Sequence, residues 1–436
     1  MRHTLYLAAS RVLTLAVAIL AGCAAATPSE VRSPAAQTTA APQLAAPETP
    51  APAPAPDLIP TALPPQRDNR QIPAAHILPQ SGPATLPTVD CGGYFLVQIT
   101  IDGKGPFNFV LDTGATHTAI SQRLARELAK DVTPVEGTVR GVDGAADQNL
   151  GLVTLDRVAA GEFAALDLDV LVLDLRSLSA TFGVRLDGIL GYSFFDGVLL
   201  TVDYPRRQVR AQRGQLPPTD GKRILRATRR SAPYVEARIG DRRVDLLLDT
   251  GKSGGMTLDD LSAFPSDQPP TPIGSAVGIS GTFLVRAARL RDDARVGDLV
   301  LKRPVAVESR GASIVGVDAL KQFSLTFDPR GRRVRFDAPA GSPLPPVVFP
   351  PVRGIGMAFS YSRGAWLIGE LFENSPARDA GVRTGDLPIR INGRRLGELK
   401  CSRIEDLYSA QSVELELIRD FRERLKITVP VRVIVP

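Results

Sequence analysis

The chain alternates between stretches that can bury an apolar face and stretches that cannot. After a charged start (Arg2, Arg11), an apolar run from Val12 to Ala21 is too short to span a bilayer and has the length of an export signal. From Ala24 to about Thr88 the apolar pattern disappears into Ala, Pro, Thr and Gln, with Pro50, Pro52, Pro54 and Pro56 in alternation. Such a segment cannot bury a core and favours extended polyproline conformations. Short strand-like runs separated by polar turns follow, and they occur twice. YFLVQITIDGKGPFNFVLDTG ends at Gly114, and PYVEARIGDRRVDLLLDTG ends at Gly251. Each reads as two strands joined by a polar turn, the second rising into Asp-Thr-Gly.

The parallel continues downstream. GVDG begins at Gly141 and GISG at Gly278, each 29 residues after the aspartate of its own copy. Each copy then reaches an apolar pair with glycine, Ile189-Leu190-Gly191 or Ile314-Val315-Gly316. They close in GVLLTVDYPRRQVRA and FSLTFDPRGRRVRF, hairpins whose turns share Asp, Pro and Arg in that order. The repeat sets the expected organisation: signal 1–22, Pro/Ala-rich tether 23–88, halves at 89–215 and 216–340, linker 341–351 and a final unit 352–436. One Asp-Thr-Gly would arise by chance in roughly one chain in ten of this length. Two copies at corresponding places, with matched glycines, do not.

On these residues the sequence resembles the retropepsin-like aspartic proteases, over about 250 residues, with both Asp-Thr-Gly copies in one polypeptide. The resemblance implies a mainly β, bilobed peptidase with Asp112 and Asp249 as the catalytic pair. It implies that Thr113 and Thr250 hydrogen-bond across the lobe interface and that Gly114 and Gly251 let the two loops approach. Gly141, Gly144, Gly278 and Gly281 fall where such proteins place flap hairpins. The apolar-apolar-Gly elements would support the active-site loops. Two carboxylates about 3 Å apart cannot both ionise, so they share one proton and activate water with neither metal nor cofactor. An extended peptide would lie beneath the flaps as an added strand. Lys252 departs from the pattern, since a small or hydroxylated residue is expected after the second Asp-Thr-Gly. It either stands near the pair, favouring double ionisation, or points to solvent, the commoner place for lysine.

The apolar leader ends in Leu20-Ala21-Gly22-Cys23, which resembles the lipobox of bacterial lipoproteins. That resemblance implies cleavage before Cys23, lipid on its thiol and new amino terminus and, with Ala24 next, an outer-membrane location. At about 3.1 Å per residue the tether would reach on the order of 200 Å from the membrane.

The last ninety residues change character. Gly354-Ile355-Gly356-Met357 precedes the strand-like WLIGELF, ENSPARDAGVRTGD and PIRINGRRL. The series resembles the PDZ modules of bacterial envelope proteases, small α/β domains. It implies that this glycine loop holds a protein C-terminus while the peptide adds a strand. Residues near Ser402–Ala410 would supply a short groove helix.

Composition removes several alternatives. The net charge of +6 comes from dispersed basic residues, grouped only in Lys222–Arg230 and Arg330–Arg335 beside turns. No basic run interleaves with stacking aromatics, so nucleic acid is not an expected partner. Of the three histidines, only His117 lies outside the leader and the proline-rich stretch, which argues against a histidine-based zinc site. Cys91 and Cys401 lie in different expected domains, and their pairing is left open. Two functions remain: an endopeptidase whose PDZ module recruits or gates peptide or unfolded-protein substrates, or a peptide-binding envelope scaffold that has lost hydrolysis. The paired aspartates favour the first and Lys252 the second.

Overall fold

The computed structural model describes residues 13–15 and 72–436, apart from 136–138, 142–145, 148–149, 279–280, 310, 340–341, 363, 397–399 and 402–406. Within these the protein is mainly β.

Each aspartate is carried inward by a strand whose polar residues come first and apolar residues last. Lys104–Asp112 begins with three exposed residues and ends with four buried ones. Arg242–Leu248 does the same, from Arg242 to the fully buried Leu246-Leu247-Leu248. Burying the apolar end of each strand therefore drives the aspartate that follows it into the interior. The preceding strands, Tyr94–Ile101 and Tyr234–Ile239, pair antiparallel with them, Leu96 opposite Val110 and Tyr234 opposite Leu247.

The same strand order surrounds both aspartates. In one sheet the order is Phe163–Leu173, Ala119–Ser121, Gly188–Gly191, Lys104–Asp112, Tyr94–Ile101, Leu150–Ala160. In the other it is Val305–Glu308, Met256–Leu258, Ile314–Val315, Arg242–Leu248, Tyr234–Ile239, Ala294–Val296. The apolar-apolar-Gly segments insert parallel to the aspartate strands: Gly191 is opposite Asp112, and Val315 is opposite Leu248.

A six-stranded sheet joins the two sets. Its middle pair, Leu199–Asp203 and Ser324–Asp328, runs antiparallel with Leu200 opposite Phe327, Thr201 opposite Thr326 and Val202 opposite Leu325. This register is that of a local two-fold axis passing between Thr201 and Thr326, whose hydroxyls are hydrogen-bonded at 3.1 Å. Gln208–Gln212 and Ala84–Leu86 extend the sheet on one side, Arg333–Asp337 and Ile224–Arg226 on the other. One apolar core, with Phe109, Phe195, Leu248 and Phe327 fully buried, runs through both sets.

Two segments differ from the sequence reading, and a pairing that it left open is formed. Folded chain starts well before residue 89: Ala75–Ile77 pairs with Phe163–Leu173, and Ala84–Leu86 edges the joining sheet. Their alternation is only three residues long, too short to stand out from the proline-rich text. The expected linker is also packed, with Val347–Val348 parallel to Leu299–Lys302 and Val347 1% exposed. Finally, Cys91 and Cys401 are disulfide-bonded across 310 residues, with Cα atoms 4.4 Å apart.

The C-terminal unit has its own core of Ile355, Met357, Phe359, Ile368, Val413 and Leu415. A four-stranded sheet (Arg394–Arg395, Leu387–Ile391, Ser412–Arg419, Glu423–Pro430) and the hairpin Met357–Ser362/Ala365–Leu371 enclose it. This unit rests on the hairpin Thr271–Gly278/Gly281–Arg289. The Ser275 hydroxyl donates to the Phe359 carbonyl at 3.2 Å, and Leu284 packs on Ala358 and Phe372. On its other side, the Cys401 N–H donates to the Phe182 carbonyl at 2.9 Å. The disulfide thus secures an already packed junction. Cys401→Ser is expected to lower stability by about 2–4 kcal/mol. Urea denaturation checks this, and a reductant should weaken the wild type but leave the variant unchanged.

Candidate active site

Asp112 ends its strand and Asp249 directly follows its own, each with no solvent exposure. The two loops that follow are locked together by reciprocal bonds. The Thr113 N–H donates to Thr250 Oγ1 at 3.0 Å, and the Thr250 N–H donates to Thr113 Oγ1 at 3.1 Å. Each hydroxyl then donates across the interface, Thr113 to the Leu248 carbonyl at 2.7 Å and Thr250 to the Leu111 carbonyl at 2.9 Å. Both buried hydroxyls are thus fully used, and the loops cannot slide without breaking four bonds at once.

The approach is closer than any side chain would permit. A Cβ on Gly114 would stand 2.4 Å from Asp249 Cγ, and one on Gly251 2.4 Å from Asp112 Cγ. Each carboxyl thus lies against the glycine of the opposite loop, and the charge of Asp249 acts on Asp112. Their inner oxygens accept from their own loops: Asp112 Oδ1 from the Ala115 N–H at 2.9 Å, and Asp249 Oδ1 from the Gly251 N–H at 2.8 Å. The two Oδ2 atoms are buried, and among the described residues no N–H or hydroxyl donor reaches them. A single proton placed between the carboxyls would give each a partner.

The apolar-apolar-Gly segments brace these loops from behind. The Asp249 N–H donates to the Val315 carbonyl at 3.0 Å, and the Val317 N–H to the Lys252 carbonyl at 2.8 Å. On the other side, the Tyr192 N–H donates to the Ala115 carbonyl at 2.7 Å.

Burial raises both carboxyl pKa values above the ordinary carboxylate range. For Asp112 the neighbouring Asp249 charge raises it further. For Asp249 the Gly251 N–H, the Asp112 carboxyl and Lys252 pull it part of the way back. A carboxyl pair that keeps one proton towards neutral pH can take a proton from water with one member and give one to a carbonyl oxygen with the other.

The other residues singled out in the sequence fall in several places. Gly278 and Gly281 face each other at the end of the hairpin Thr271–Gly278/Gly281–Arg289. Gly141 ends the short strand Val139–Gly141, whereas Gly144 lies outside the described residues. Gly354 ends the strand Val352–Gly354, Ile355 and Met357 are buried in the C-terminal core, and Gly356 between them has φ +72°. Cys23 and most of the expected groove helix lie outside the described residues.

Lys252 does not point to solvent: it is 2% exposed, and its Nζ donates to the Ser253 carbonyl at 3.0 Å. It lines a pocket with Thr257, Ala276, Phe283, Val285 and Glu308, formed partly by the hairpin Thr271–Gly278/Gly281–Arg289. The bracing of its loop by Val317 explains the inward course. Tyr204 is a further neighbour that sequence reasoning missed. Its hydroxyl is buried, and burial, then the Asp249 charge, hold its pKa far above the usual tyrosine value. Its place directly after the closing strand Leu199–Asp203 was the available signal.

The site is therefore a buried pair of carboxyls on two interlocked, strand-borne loops. Residues 97–194, which include Asp112, match the model of a family described as Aspartyl protease. Among solved structures, a retropepsin-like aspartic protease from Rickettsia conorii is 18% identical, with 30% of this chain and 91% of that chain covered and a TM-score of 0.23. No curated protein matches. The chain is similar to aspartyl proteases in the segment that carries its first Asp-Thr-Gly.

Proposed function

We propose that the protein is an aspartic endopeptidase whose two lobes arose by duplication and whose dyad is Asp112 with Asp249. The observation that carries this reading is that two fully buried carboxyls each lie against the other's loop, with the loops held by reciprocal threonine bonds. A site that only bound peptide would have no use for two acids whose ionised forms repel each other.

In the proposed reaction the ionised carboxyl accepts a proton from water as the water oxygen bonds to the scissile carbonyl carbon. The protonated carboxyl gives its proton to the carbonyl oxygen. The resulting gem-diol breaks its C–N bond as the dyad returns a proton to the amine and takes one from a hydroxyl. The peptide lies extended beneath the hairpin Thr271–Gly278/Gly281–Arg289 and its counterpart near Gly141. Digestion of casein with and without pepstatin tests the reading. Cleavage blocked by pepstatin supports it, whereas tight peptide binding without turnover would leave the scaffold function in its place.

The C-terminal unit serves in this reading as a PDZ module that recruits or gates peptide and protein substrates. Its placement against the hairpin near the pocket, through Ser275 and Leu284, supports a gating role. Export and lipid anchoring at Cys23 in a bacterial envelope complete the proposal. The Cys91–Cys401 disulfide supports it, because such bonds persist in oxidising compartments. Cys23→Ser is expected to move the protein from the membrane pellet to the soluble periplasmic fraction, as followed by fractionation and immunoblot.

A further inference from the structure

In the hairpin Thr271–Gly278/Gly281–Arg289, Ser275 stands opposite Leu284, Ala276 opposite Phe283 and Gly274 opposite Val285. Side chains alternate across a strand, so directly opposed residues share a face. One face, with Ala276, Phe283 and Val285, lines the pocket beside the second Asp-Thr-Gly loop. The other, with Ser275 and Leu284, meets the C-terminal unit. The hairpin is thus a single layer between the pocket and that unit.

What it meets there is a strand edge. Met357–Ser362 pairs antiparallel with Ala365–Leu371, Phe359 opposite Ile368. Ile368 turns its backbone the other way: its N–H donates to the Asp386 carbonyl at 2.8 Å, and its carbonyl accepts from the Gly385 N–H at 2.6 Å. Opposed residues in an antiparallel pair exchange both bonds or neither, so Phe359 presents its own N–H and carbonyl at the outer edge. The Ser275 hydroxyl takes that carbonyl at 3.2 Å, and Leu284 covers Ala358 and Phe372 beside it. An added peptide strand would make the same two contacts, with a backbone N–H and an apolar side chain.

We propose that the hairpin occupies the peptide-adding edge of the C-terminal unit, and that an extended peptide carrying an apolar side chain competes with it for that edge. Arrival of the peptide frees the hairpin to move off the pocket. The proposal rests on the aspartic-peptidase and PDZ readings and couples their two binding events through one hairpin.

The C-terminal unit is fastened elsewhere, so the hairpin is the part that yields. The Cys91–Cys401 disulfide holds the unit on one side. At the base of the hairpin Arg289 donates to the Phe349 carbonyl at 3.0 Å and the Pro350 carbonyl at 3.2 Å, and Gln268 Nε2 donates to the Ile434 carbonyl at 3.2 Å. Between this anchored base and the end that carries Ser275 and Leu284, the strand register shifts at Pro272/Gly274. Such an irregularity bends a strand and gives the outer part a place to pivot.

The test uses the full chain with Asp112→Asn, which is expected not to cut, and a displayed library of random decapeptides with free carboxyl ends. Adding Ser275→Ala with Leu284→Ser should tighten binding of the recovered peptides about tenfold, because the edge no longer has to be vacated. Hydrogen exchange read by mass spectrometry should show these peptides slowing the amides of Met357–Ser362 and speeding those of the hairpin. A peptide bound beneath the hairpin would slow the hairpin instead. This measurement needs no change at Ser275 or Leu284 and decides the matter where that double variant fails to fold. Equal or weaker binding by the variant, no peptide recovered from either protein, or hairpin amides that slow or stay unchanged would overturn the proposal. A wild type that cleaves no protein defeats the peptidase reading instead, and binding and exchange still decide the competition.

Discussion

Asp112→Asn or Asp249→Asn is expected to lower kcat/KM on an unfolded protein by at least about 10³-fold, because either change removes one of the two proton-transfer partners. The same substitution should stabilise the fold near neutral pH. Unfolded aspartates lose their protons near pH 4. In the folded chain burial raises both carboxyls, and the Asp249 charge raises Asp112 further. Above about pH 4 the native state therefore holds more protons than the unfolded one. The stability tied to the shared proton is fully present below that pH and drains away as pH rises through the raised range. Each asparagine variant lacks the second acid, and its amide can donate to the remaining one. Their melting temperatures should match the wild type at pH 4 and exceed it at pH 7, by about 1–2 kcal/mol in stability. Calorimetry at the two pH values checks the sign. A variant that cleaves at the wild-type rate, or that is destabilised more at pH 7 than at pH 4, would contradict a proton-sharing pair.

The second large effect is expected from adding one methyl group. Gly251→Ala would place a Cβ 2.4 Å from Asp112 Cγ and 2.7 Å from each of its oxygens. Asp112 cannot simply retreat, because its Oδ1 is held by the Ala115 N–H and its strand is paired with Gly188–Gly191. The loops must separate, which lengthens the threonine bonds between Thr113 and Thr250 as well as the carboxyl contact. Misplacement of about 1 Å at a reacting group costs on the order of 100-fold in rate. Overpacking of this kind costs about 1–3 kcal/mol. Activity and urea midpoint should therefore fall together, unlike the aspartate variants, where they part. Retention of full kcat/KM would mean that the loops do not meet as described.

Much of this arrangement could be read from the chain because it is written in strongly patterned local text. Two strands that run from polar to apolar and end in Asp-Thr-Gly announce both the burial of the aspartates and the loops beyond them. The apolar-apolar-Gly segments were legible for the same reason. The rest depended on what lies across space. The segments Ala75–Ile77 and Ala84–Leu86 are too short for a period to show, and they become strands only because open sheet edges accept them. The burial of Lys252 follows from a carbonyl pinned by Val317, a contact 65 residues away in the chain. Cys91 and Cys401 have no neighbouring pattern that could match them, and only the packing of the last unit against the first sheet brings them together.

That cross-link has a topological result for a protein whose proposed work is cutting chains. It turns residues 91 to 401, nearly the whole folded part, into a closed covalent ring. One accidental scission within the ring, by the protein itself or by a neighbour, opens it without shedding a fragment. The nicked molecule would still migrate as one species until reduced, and its two aspartate loops would still belong to a single covalent body.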